Sequence, residues 1–116
     1  MSVPYITLTV GDEEYRLKFS AGAAVETEKR LKFSLMDALS KIESITVQIA
    51  ILHGALQKHH HDITYKKAEE IYEKYLDSGK TVLDFAEIIM EVYSVSGFMK
   101  QEQVQRITEV MSDITT

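Results

Sequence analysis

The stretch LHGALQKHHHDIT, Leu52 to Thr64, holds all four histidines of the chain, three of them consecutive, and no cysteine occurs anywhere to share in ligation. Neutral imidazoles could hold zinc, nickel or copper, or move protons near neutral pH. If the segment is helical, adjacent side chains point about 100° apart around the axis, so His59, His60 and His61 cannot converge on one ion. His53 and His60 would then share a face, but two turns apart they bridge an ion less well than the i, i+4 pair of helical zinc sites. If the segment is extended, His59 and His61 point the same way with Asp62 to assist, which makes those two the metal candidates. The simpler reading is a helix end, where imidazoles bond free carbonyls and their charged forms favour the helix dipole. His53, inside an apolar stripe, reads as a packed or border residue.

Other chemistry finds little support. Paired carboxylates occur at Asp12, Glu13 and Glu14, at Glu69 and Glu70, and at Asp84 and Glu87. Each group falls in a turn or on the polar side of a helix, whereas acid–base pairs need pockets that separate their pKa values. The five glycines are dispersed, so no phosphate-binding loop is present, and no serine sits in a nucleophile elbow. The lack of cysteine excludes disulfides, thiolate zinc, iron–sulfur clusters and thiol catalysis. The sequence is read as a non-enzyme with no catalytic residue and no cofactor.

A net charge of −5, from 13 Lys and Arg against 18 Asp and Glu, repels a phosphate backbone, so no nucleic-acid partner is expected. Lys29, Arg30 and Lys32 form the densest basic cluster, diluted by Glu26 and Glu28. A small regulatory protein contacting DNA or a transcription partner through that cluster is the alternative function. A metal-binding protein using the histidines is the third. The N-terminal MSVPYITLTVGDEEY lacks a basic region followed by an apolar one, and no apolar run is long enough to cross a membrane, which predicts a cytoplasmic location.

These residues must be positioned by regular elements. ITLTVGDEEYRLKF alternates, with Ile6, Leu8 and Val10 on one side and Tyr15, Leu17 and Phe19 repeating the period after a Gly-Asp turn, as a β-hairpin does. Beyond Phe19 the period becomes helical. Ser20 caps a helix that ends near Phe33. Ser34 and Asp37 have capping-box spacing before a short helix LMDALSKI. Ser44 caps ITVQIAILHGALQKHH, whose wide stripe marks it as the central helix. Asp62 or Thr64 caps YKKAEEIYEKYLDSG, and Thr81 with Asp84 caps VLDFAEIIMEVYSV. The tail carries Val104, Ile107, Met111 and Ile114 in a thin stripe suited to a partner or to its own core. The expected fold is α+β and mostly α, an N-terminal β-hairpin packed on a compact bundle of about five helices. One domain spans residues 1–116, divided into a hairpin (1–19), a helical core (20–98) and a C-terminal amphipathic, partner-binding helix (99–116).

Taken in order, ITLTVGDEEYRLKFS, ETEKRLKFSLMDAL, SITVQIAILHGAL, HHHDITYKKAEEIYEKYLDSG and FAEIIMEVYSVSGF resemble the tail assembly chaperones of long-tailed, siphovirus-type bacteriophages and prophages. The likeness covers Tyr5 to Phe98. It rests on Gly11, Tyr15, Leu17 and Phe19 of the hairpin, on Leu35 and Leu39, on Leu52, Gly54 and Leu56, and on the cap at Asp62, Ile63 and Thr64. Asp12 stands where a second turn glycine is common in that family, and the last helix lies outside the resemblance.

The resemblance implies a noncatalytic protein of the bacterial cytoplasm that binds the long helical tape measure protein, keeps it soluble and helps recruit tail tube protein. It would be absent from the finished virion, and a frameshifted longer form is common in such families. A homo-oligomer fits a protein that coats an extended partner. For the partner-binding surface, the exposed parts of Tyr72, Tyr75, Tyr93, Phe98, Ile107 and Met111 are the candidates, since helices that shield a helical client do so through apolar grooves.

Overall fold

The computed structural model describes residues 5–115, with side chains as far as residue 111. Two strands, β1 (Ile6–Val10) and β2 (Glu13–Leu17), pair antiparallel with Leu8 opposite Tyr15 and Ile6 opposite Leu17. Gly11, at φ 60°, takes the first central position of the two-residue turn, where a primed hairpin turn favours glycine. Alternation then buries Leu8, Val10, Leu17 and Phe19 while Thr7, Thr9, Glu14 and Arg16 face water.

Among the described residues five α-helices follow: α1 (Ala21–Leu31), α2 (Ile45–Leu56), α3 (Tyr65–Asp77), α4 (Val82–Val95) and α5 (Gln101–Thr115). The α+β, mostly helical architecture expected from the sequence is the one observed. None of the helices among the described residues is long and apolar enough to cross a membrane.

The polar residues expected to start helices do so. Ser20, Ser44, Thr64 and Thr81 accept from the N–H groups of Ala23, Val47, Lys67 and Asp84 at 3.1, 3.3, 3.1 and 3.1 Å. Each bond satisfies a donor that a helix start leaves unpaired. Asp84 returns the bond to the Thr81 N–H at 2.9 Å, completing the capping box. Ser34 also accepts from the Asp37 N–H, at 2.9 Å. The element that follows is a short 3₁₀ helix over Asp37–Lys41 rather than an α-helix through Ile42, because it closes with the tighter Ile42 N–H to Leu39 carbonyl bond.

The central helix also ends earlier than its pattern predicts, at Leu56 instead of among the histidines. The Lys18 N–H of the hairpin donates to the Ala55 carbonyl at 3.0 Å. In a continued helix that carbonyl would accept from His59, so docking of β2 takes a bond that extension needs. It also covers the open edge of the hairpin.

Helix α2 lies at the centre of the core, against α1, α3, α4 and β2, and eight of its twelve residues are buried. Around it pack Leu17, Phe19, Ile71, Phe85, Ile89 and Val92, with Tyr72 and Tyr75 both edge-on to Phe85 at 5.3 Å between ring centroids. Gln48 is the one fully buried amide in this interior. Its Nε2 donates to the carbonyls of Ile42 (2.7 Å) and Val82 (3.0 Å), and its Oε1 accepts from the Tyr72 hydroxyl (2.5 Å). A satisfied amide of this kind ties α2 to α3, to the start of α4 and to Ile42, two residues before α2's cap.

Helix α5 lies on α4, with Val104 and Met111 buried against Ala86 and Met90 and with Ile107 at the margin. Val104, Ile107 and Met111 therefore complete this domain's own core, while Ile114 of the expected stripe lies outside the described side chains.

Candidate functional site

The consecutive histidines His59, His60 and His61 each face different neighbours. Among the described residues, no group of three or more histidine, aspartate or glutamate side chains could hold a metal ion. His59 sits edge-on to Tyr5 with centroids 5.4 Å apart. His61 and Asp62 meet at 3.5 Å, both almost fully in water. His60 reaches back across the fold: its Nε2 accepts the Arg16 backbone N–H at 2.9 Å, and its ring meets Tyr15 edge-on at 5.6 Å. With the Lys18 to Ala55 bond, this fastens one donor of β2 and one just beyond it to the end of α2 and the turn that follows.

Only a neutral His60 can accept that bond at Nε2. Burial, then the neighbouring His59 and Arg16, lower its pKa below the usual histidine value. A lowered native value means that the unfolded chain binds more protons between the native value and about 6.5. The stability His60 contributes is present above about pH 6.5 and lost as pH falls through the native value. His53 titrates in the same sense, so the two must be separated by substitution. In urea titrations across this window, His60→Gln is expected to be less stable than the wild type at pH 7.5, by about 0.5 kcal/mol, the low end for one hydrogen bond. The gap should close by pH 5.

A groove of about 700 Å³ lies between α1 and α2, lined by residues that include Ala23, Glu26, Arg30, His53, Gly54 and Gln57. Its floor depends on Gly54, where a Cβ would lie 2.1 Å from the Thr27 Oγ1 and 2.5 Å from the Phe19 ring. The lack of a side chain there lets α1 approach α2. At the rim the Arg30 guanidinium lies over the Tyr65 ring, 4.0 Å from its centroid. His53 meets the same ring edge-on at 5.4 Å. Burial, followed by Arg30, lowers the His53 pKa, partly offset by a bond to the Ile63 carbonyl. Gln57 donates to the carbonyls of His53 (3.0 Å) and Ile63 (3.1 Å), holding the chain between α2 and α3.

The three residues of the basic cluster are held in different ways. Lys29 pairs with Glu26 at 3.4 Å, Arg30 is stacked on Tyr65, and Lys32 terminates α1 in the left-handed conformation at φ 69°.

The expected partner surface needs correction. Tyr72, Tyr75, Tyr93 and Met111 are 2, 3, 0 and 8 % exposed, so very little of each faces outward. The two α3 tyrosines pack on Phe85, Tyr93 reaches the Leu35 carbonyl at 2.5 Å, and Met111 packs from α5 onto Ala86 and Met90 of α4. Phe98 and Ile107 keep partial exposure. Sequence reasoning missed Met36, which is 49 % exposed and lines a shallow apolar cleft of about 180 Å³ with Ala24, Glu28, Leu35 and Phe98. The signal was present in the Leu35-Met36 pair. The turn that leads into the short helix buries one of these two adjacent apolar residues, and Leu35 is the one inside.

Residues 4–116 match the model of a family of unknown function, DUF6096, and the chain belongs to that family. No curated protein matches it, and no solved structure matches it.

Proposed function

We propose that this DUF6096 protein is a noncatalytic tail assembly chaperone of a long-tailed phage or prophage. It binds the tape measure protein in the host cytoplasm, keeps it soluble and helps recruit tail tube subunits. The reading rests on the resemblance carried by the hairpin, the LHGAL helix and the Asp62 to Thr64 cap. The observation that favours a binding role is the Met36 cleft. A half-exposed methionine beside Ala24, Leu35 and Phe98 offers a deformable apolar seat of the kind that receives an apolar helix face. Helix α5, whose stripe is occupied by α4, is left out of this surface.

Co-expression tests the function. With this protein present, the cognate tape measure protein is expected in the soluble fraction and to co-purify with it. A tape measure protein that stays equally insoluble with and without its partner would refute the role. So would a genomic setting without tail genes.

A further inference from the structure

We propose that the groove between α1 and α2 binds a monoanionic carboxylate, gripped by the guanidinium of Arg30. The proposal does not depend on the tail-assembly reading and uses none of the residues of the Met36 cleft.

The groove's volume of about 700 Å³ falls in the range of sites for small organic ligands. Arg30 is ready to act in it. Its planar group rests on Tyr65 at 4.0 Å, a cation–π contact that limits its motion before any ligand arrives. No carboxylate pairs with it among the described residues, where Lys29 pairs with Glu26 and Lys67 with Glu70. A pre-positioned guanidinium without a counterion, at the rim of a groove, has the donor geometry for two parallel N–H···O bonds to a carboxylate.

Charge balance selects the ligand. Lys29 is neutralised by Glu26 at 3.4 Å on the same rim. His53, with Arg30, Tyr65 and Gln57 around it, is held towards its neutral form. The groove therefore offers one net positive charge. A carboxylate matches it, whereas a dianionic phosphate would set its second charge against Glu26 with no second cation to meet it. Such a carboxylate can come from a free small acid or from an acidic side chain of a peptide, and both present the same group to Arg30.

NMR titration of the full chain distinguishes these outcomes, following the Arg30 Nε–H and the His53 ring. The probes are N-acetylglycine, the peptide Ac-Ala-Glu-Ala-NH2, its glutamine counterpart and inorganic phosphate. One or both carboxylate probes should saturate in the millimolar range, as expected of a single partly exposed ion pair. Saturation should also raise the His53 titration midpoint, since a bound carboxylate favours the charged ring. Arg30→Gln should weaken binding by about tenfold or more, and Arg30→Lys, which keeps the charge and loses the fork, by less. Binding of N-acetylglycine alone assigns the site to free acids, and binding of the glutamate peptide alone assigns it to acidic peptides. The proposal is overturned by unmoved Arg30 and His53 signals, by carboxylate binding that survives Arg30→Gln, by a glutamine peptide that binds as well as the glutamate one, or by phosphate binding more tightly than both acids.

Discussion

Gln48→Leu is expected to lower the unfolding free energy by about 3 kcal/mol, a large share of the 5–15 kcal/mol typical of a domain. Leucine fits the volume but leaves the Tyr72 hydroxyl without its acceptor and removes a donor from the Ile42 and Val82 carbonyls. Each buried polar group so stranded costs about 1–3 kcal/mol, reduced where a carbonyl keeps a helical partner. Urea denaturation measures the loss directly. A second substitution shows its origin: Tyr72→Phe removes the stranded hydroxyl, so the double variant should be more stable than the sum of the two single losses predicts. Strict additivity would show that the amide and the phenol are not coupled.

Gly54→Ala is the second large effect, with an expected loss of about 1–3 kcal/mol from overpacking. In an exposed helix the same change would gain about 1 kcal/mol, since alanine is the better helix former. Here the added Cβ would overlap the Thr27 Oγ1 and the Phe19 ring, both of which are buried. The sign of the effect therefore separates close helix packing from simple propensity. Thr27 donates to its own helix at the Ala23 carbonyl, 2.8 Å away, so Thr27→Ala removes the nearer clash at little cost. Combined with Gly54→Ala, it should recover part of the stability, with Phe19 accounting for the rest. A gain in stability from Gly54→Ala alone would mean that α1 and α2 are not closely packed.

The fold was largely legible because its signals are local. Strand alternation, the caps at Ser20, Ser44, Thr64 and Thr81, and the single glycine in LHGAL are all written within a few residues of what they determine. The misplacements came from tertiary bonds. Helix α2 stops at Leu56 because a hairpin N–H far away in sequence binds the Ala55 carbonyl, and nothing near Leu56 encodes that. His60 likewise looked like part of a ligand cluster, yet its partner is the backbone of Arg16. Helical spacing showed that Tyr72, Tyr75 and Met111 share apolar faces but not what covers them. Phe85 and α4 do so, while Met36 is exposed, as are Val25, Ile45 and Val110, and it lines a cleft with Phe98.

Whether the Met36 cleft receives the partner is tested most directly by co-expressing the tape measure protein with wild-type protein and with Met36→Glu. Met36 is half exposed, so the charge should leave the fold intact, as circular dichroism and urea unfolding will verify. The expected result is a soluble tape measure protein with the wild type and a pelleted one with the folded variant, because a carboxylate in an apolar seat costs several kcal/mol unless paired. Equal solubility with both proteins would place the contact elsewhere, and an insoluble tape measure protein with both would contradict the chaperone function itself.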